Sequence, residues 1–149
     1  MKLSATFLLA ALFFVSTQAF SQDVVGTWKT IDDETGKAKS HVKIYKNKSG
    51  VVFGRVVKIL DPKKRDATCS KCPEKYNGFG KKGQKVLGML ILKGLAKDDD
   101  EYNGGNIFDP NKGKSYRCYI TLKGKDKLKV RGFIGTRYVG RTQYWYRVK

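Results

Sequence analysis

The chain has 149 residues, 31 lysines and arginines against 13 acids, a formal net charge of +18 and a single histidine. That length is one domain's worth, enough for a hydrophobic core of its own. One histidine removes most histidine-based acid–base and nucleophile schemes unless His41 itself serves, and the charge favours anionic surfaces as partners.

The first segment reads as an export signal. Lys2 gives a positive start, Phe7 to Val15 is an apolar run too short to span a bilayer, and small residues follow at Ala19 and Ser21. A cut before Gln22 is the preferred expectation, with a cut after Ala19 the second choice. No cysteine stands at the cut, so there is no lipoprotein signature. The expected product is a periplasmic or secreted single domain, residues 22–149. Losing Lys2 costs one positive charge. The lysines are scattered along every segment rather than clustered, so the charge reads first as a solubility device. Nucleic acid is not an expected partner of an exported protein, and a monomer is expected.

From Gly26 onward the chain is punctuated into short apolar–polar alternations. Gly26 to Ile31 is a strand ending in the polar turn Asp32-Asp33-Glu34-Thr35-Gly36. Ser40 to Lys46 alternates, with Val42 and Ile44 on one face and His41, Lys43 and Tyr45 on the other. Asn47 to Gly50 is a hairpin loop. Val51 to Leu60 is a β-branched strand with Gly54 at a candidate bulge. Residues 61–85 form a long loop without periodicity, carrying Cys69 and Cys72. Leu87 to Ala96 and Glu101 to Phe108 are strands around an acidic turn. Asp109-Pro110-Asn111-Lys112-Gly113 is a strong turn. Lys114 to Lys123 places Tyr116, Cys118, Ile120 and Leu122 on one face. Lys127 to Ile134 alternates again, Gly135 to Val139 suggests a short helical turn, and Arg141 to Val148 is the last strand. Eight strands joined mostly by short turns predict an all-β barrel or sandwich. Consecutive hairpins favour an antiparallel up-and-down barrel, and closure would remove the exposed edges.

The last strand is unusual. One face carries Arg141, Gln143, Trp145 and Arg147, the other Thr142, Tyr144, Tyr146 and Val148. A plain core strand would not set two arginines beside a tryptophan. If that face points inward with Trp28 and Tyr116, it either lines a pocket for a small anionic, partly apolar ligand or closes the barrel by stacking arginine on tryptophan.

The other candidates carry less chemistry. Cys69-x-x-Cys72 is expected to be a loop-pinning disulfide, since no βαβ context supports a redox dithiol. Zinc would need four ligands, and only Cys118 and His41 remain, so no metal or cofactor is expected. His41 lies between lysines on a polar face. Adjacent carboxylates at Asp32, Asp33 and Glu34 point apart on a turn. Asp98 to Glu101 lacks the alternate-ligand spacing of a calcium loop. No catalytic residue is assigned, and an enzyme is the least favoured class.

Three motifs carry a family resemblance. Gly26-x-Trp28 opens the first strand. Gly105-x-Ile107-x-Asp109-Pro110-x-x-Gly113-Lys114-x-Tyr116 spans the fifth turn. Arg131-Gly132-x-Ile134-Gly135, then Gly140-Arg141-Thr142-x-x-Trp145-x-Arg147, ends the chain. With Cys69-x-x-Cys72, these resemble the bacterial domain-of-unknown-function family 2147, a family of small exported proteins grouped with the calycin, or lipocalin-like, barrels. The resemblance implies a small barrel and export but no substrate. It also implies that the Gly-x-Trp tryptophan packs against an arginine near the end of the barrel. Arg147 is the better candidate partner for Trp28, with Arg141 further along. The expected function is a binding barrel holding a small amphipathic or anionic ligand; the alternative is a filled barrel whose lysines bind an anionic envelope polymer or lipid.

Overall fold

In a computed structural model that describes residues 22–149, the chain forms eight strands. They are β1 (Gly26–Ile31), β2 (Ala38–Lys46), β3 (Val52–Ile59), β4 (Leu90–Asp98), β5 (Glu101–Asp109), β6 (Lys114–Leu122), β7 (Lys127–Phe133) and β8 (Gly140–Arg147). The expected export segment, residues 1–21, lies outside the described residues. Each strand pairs antiparallel with the next, and β8 returns to β1, so the meander closes into a barrel. The seam is short: Trp28 stands opposite Arg147 and Lys29 opposite Tyr146.

Period-2 alternation sets which side chains enter. Val42 and Ile44 are fully buried while Lys43 between them is exposed. Cys118 and Ile120 on β6, Leu128 and Val130 on β7, and Trp145 on β8 are buried by the same rule. Trp28, Val42, Ile44, Val52, Leu92, Leu95, Ile120 and Leu128 are all 0% exposed, so side chains fill the barrel's middle. Each such burial is worth about 1.5–3 kcal/mol.

The connection from β3 to β4 is the one long excursion. It opens with a turn of 3₁₀ helix at Pro62–Lys64, capped by the Asp61 carboxylate, which accepts from the Lys63 amide at 3.0 Å. Cys69 and Cys72 form a disulfide. The segment then lies against the outside of the barrel. Phe108 points outward from β5, yet it is only 2% exposed because Phe79 of the connection stacks on it at 5.2 Å. Lys71 sits so close to the β5–β6 turn that a Cβ on Gly113 would lie 1.9 Å from its carbonyl oxygen. That contact, with a φ of +65°, makes glycine obligatory there.

Two local expectations change. β4 begins at Leu90 rather than Leu87. Gly88 has a φ of +86° and donates to Val56 O at 2.7 Å, so the chain makes an irregular approach before joining the ladder. Residues 135–139 form a hydrogen-bonded turn, with Val139 N donating to Thr136 O at 3.2 Å, and not a helical one. Two glycines and the need to reverse between β7 and β8 leave no room for one.

Among the described residues no helix is long and apolar enough to cross a membrane. The barrel's exterior also differs from a membrane-spanning barrel, which carries an apolar outer band. Here Lys29, Lys43, Arg55, Lys58, Lys127 and Lys129 stand at outward-facing positions.

Candidate functional site: the barrel seam and its cationic exterior

Gly26-x-Trp28 and Arg147 meet at the seam. The Arg147 guanidinium lies 4.2 Å from the Trp28 ring centroid. Its Nε donates to Lys125 O at 2.7 Å, and its two terminal nitrogens donate to Val25 O at 3.0 Å and Asp23 O at 2.8 Å. Trp28 Nε1 donates to Val24 O at 2.8 Å. Gly26 has a φ of +143°, and a Cβ there would stand 2.6 Å from Arg147 Nη1, so a side chain at this position would displace the guanidinium. One arginine thus ties the β6–β7 turn, the segment just before β1 and the buried tryptophan together.

The rest of the arginine–tryptophan face of β8 is also engaged. Trp145 is 1% exposed, and its Nε1 donates to Gln143 Oε1 at 3.1 Å. Gln143 Nε2 donates in turn to the Asp33 carboxylate, which also forms an ion pair with Arg141. Asp33 comes from the β1–β2 turn and had no assigned role in the sequence. It could not have been found there, since only closure of β8 onto β1 brings it to Gln143. Tyr116 is half-buried on β6, near the same barrel end, and its carbonyl accepts from Asn106 at 3.2 Å. So the six residues Trp28, Tyr116, Arg141, Gln143, Trp145 and Arg147 do not form one cluster. Trp28 and Arg147 belong to the N-terminal end of the barrel, and Arg141, Gln143 and Tyr116 to the opposite end. Among the described residues no buried side-chain nitrogen or oxygen lacks a hydrogen-bond partner. Among the described residues, one surface depression of about 320 Å³ lies beside Asp98–Glu101 and Arg137, and another of about 210 Å³ beside Val24, Tyr102 and Leu122.

What the sequence scatters, closure gathers. The six contiguous strands running β6, β7, β8, β1, β2, β3 carry two, three, two, one, three and two lysines or arginines, and no acid. All the strand acids, Asp98, Glu101 and Asp109, fall on β4 and β5. Register makes the segregation local. Lys58 stands opposite His41, His41 opposite Lys29, Lys29 opposite Tyr146, and Tyr146 opposite Lys127. Lys43 faces Arg55 in the adjoining row. Like charges set directly opposite destabilise a sheet. Desolvation, with Lys58 and Lys29 nearby, holds the His41 pKa below its ordinary value.

Cys118 is free, 1% exposed and turned inward, and burial pushes its thiol far above the usual range. No group of three or more potential metal-ligating side chains occurs among the described residues.

A closed up-and-down barrel of eight strands, with its first-strand tryptophan under an arginine of the last strand, is a lipocalin-like fold. Residues 26–147 match the family described as "Uncharacterized protein conserved in bacteria (DUF2147)", and the chain belongs to that family. Among solved structures it is similar to a Helicobacter pylori protein reported as "Protein HP1028 from the human pathogen Helicobacter pylori belongs to the lipocalin family". The TM-score is 0.72 and the identity 19%, over 85% of this chain and 84% of that one. Among curated proteins nothing matches.

Proposed function

We propose that this is an exported barrel that binds an anionic polymer or surface of the bacterial envelope through its cationic exterior. The single observation that carries this is the segregation of strand charge. Thirteen cations and no acid lie on six contiguous strands. Solubility alone needs net charge, not Lys43 set directly opposite Arg55 beside a row in which Lys58 and Lys29 flank His41. Such an arrangement is unfavourable in the free protein and favourable beneath a line of phosphates or carboxylates. The disulfide suits an oxidising compartment.

The other expectation, a small anion held by the β8 arginines, has less support. Arg147 is committed to Trp28 and three carbonyls, and Arg141 to Asp33. The barrel's middle is occupied by side chains.

The test is binding to polyphosphate against a neutral polymer across a salt series. Affinity is expected to fall steeply with salt, and to fall further in Lys29→Gln/Lys43→Gln/Lys58→Gln. Salt-independent binding, or a triple variant that binds as well as the native chain, would sink the proposal.

A further inference from the structure

The turn between β7 and β8 exposes three large apolar side chains in six residues. Ile134 is 64% exposed, Tyr138 94% and Val139 63%. Such exposure in a slack loop would carry little meaning, but this loop is held in place. Arg131 Nε donates to Arg137 O at 2.8 Å, and its terminal nitrogens donate to Thr142 Oγ1 at 3.0 Å and Tyr138 O at 3.3 Å. Ile134 N donates to Val139 O at 2.9 Å. Arg137 folds back to form an ion pair with Glu101 and lies 4.4 Å from the Tyr119 ring centroid. The polar and charged groups of the loop are therefore drawn against the barrel, and the apolar ones are left pointing away. A loop ordered only by its own hydrophobicity would do the reverse.

The surroundings select the partner. From Lys127 to Lys149 the chain contains no acid. Tyr144 and Tyr146, each 40% exposed, add aromatic side chains to the outer face of β8 as it runs from the tip toward the N-terminal end of the barrel. Lys127 lies 4.4 Å from the Tyr144 ring centroid. Aliphatic side chains at a tip, tyrosine next to them and cations behind are the composition of a segment lying at a bilayer interface. Acyl chains accept the first, headgroups the second and anionic phosphates the third. A soluble polyanion satisfies only the cations and leaves Ile134 and Val139 in water.

We propose that the β7–β8 tip inserts Ile134, Tyr138 and Val139 into the outer few ångströms of an anionic bilayer, docking the barrel by that end. This rests on the reading of the barrel as a binder of anionic surfaces, and names that surface as lipid.

The test uses the chain from Gln22 onward, vesicles of equimolar phosphatidylglycerol and phosphatidylcholine, and polyphosphate as a soluble polyanion. Ile134→Ser/Tyr138→Ser/Val139→Ser is expected to lose at least about tenfold in vesicle partitioning, with polyphosphate binding and thermal midpoint unchanged. A second variant, Tyr138→Trp, reads the position of the tip directly. The native tryptophans, Trp28 and Trp145, are 0% and 1% exposed and so are shielded from lipid. The new tryptophan's emission is expected to shift to the blue on vesicles, but not on polyphosphate, and to be quenched by brominated acyl chains. Undiminished partitioning of the triple variant, or unmoved Tyr138→Trp emission on vesicle-bound protein, overturns the insertion. Polyphosphate binding without vesicle binding overturns the insertion alone. Failure to bind either overturns the insertion and the envelope-binding function together.

Discussion

Arg147 covers Trp28 at 4.2 Å while its three nitrogens reach the carbonyls of Lys125, Val25 and Asp23. The stacking and the hydrogen bonds are separable. Arg147→Met keeps a long apolar stem over the indole but leaves the carbonyls without donors. It is expected to lower stability by about 2 kcal/mol, allowing for the partial exposure of the site. Arg147→Lys retains the charge but not the fork, and should lose about 1 kcal/mol. Urea unfolding measures both. Equal stability of all three proteins would show that the guanidinium geometry is idle.

The disulfide pins the β3–β4 connection rather than the barrel. Cys69→Ser/Cys72→Ser closes no large loop in the unfolded chain, so its global cost should stay at or below about 2 kcal/mol. Amides of residues 67–86 are expected to exchange faster, with β6–β8 unaffected. Gly113→Ala should loosen the same segment with the disulfide intact, because its Cβ displaces Lys71. Hydrogen exchange distinguishes these outcomes, and faster exchange spread evenly over the barrel would contradict this division.

His41 is the one histidine in the chain and stands within the cationic row. Desolvation, then Lys58 and Lys29, holds its pKa below 6.5. Because the folded value is depressed, its contribution to stability is present above the unfolded value near 6.5 and is lost as pH falls through the folded value. Polyphosphate on the row cancels the lysine repulsion, so the pKa should rise and binding should strengthen as pH drops. Lys29→Gln should raise it without any ligand. A proton NMR titration of the imidazole reads all three, and a pKa unmoved by saturating polyphosphate would place the anion elsewhere.

Cys118 lies inside the barrel with its thiol held protonated by burial. A thiol reagent should label it only at the rate of global unfolding, and denaturant should accelerate labelling along the unfolding limb. Rapid labelling in native buffer would require an open route into the interior.

Much of the fold is legible in the sequence because the alternation is local. Val42 and Ile44 around Lys43 announce an inward face before any partner strand is known, and turns such as Asp109-Pro110-x-x-Gly113 announce the hairpins. The Trp28–Arg147 contact follows from the family resemblance together with antiparallel closure. The charge pattern is invisible by the same logic. Lys29 and Lys127 share a row only through Tyr146, and Tyr146 joins Lys29 only when β8 meets β1. Asp33 was hidden likewise, since its partners Gln143 and Arg141 reach it from the other end of the chain. The Phe79–Phe108 stack gave no periodic signal because it packs outside the barrel: Phe108 points outward from β5, and Phe79 lies on a connection without regular structure.

The seam has only two register pairs, Trp28 with Arg147 and Lys29 with Tyr146, and both join the most distant strands of the chain. Every other pairing in the barrel is between strands consecutive in the chain, all but β3 with β4 through a short turn. Ring closure therefore carries the largest loop entropy and is expected to come late on the folding route. Contacts made after the rate-limiting barrier govern how quickly a protein comes apart, not how quickly it assembles. Arg147 is thus placed to set the lifetime of the folded barrel.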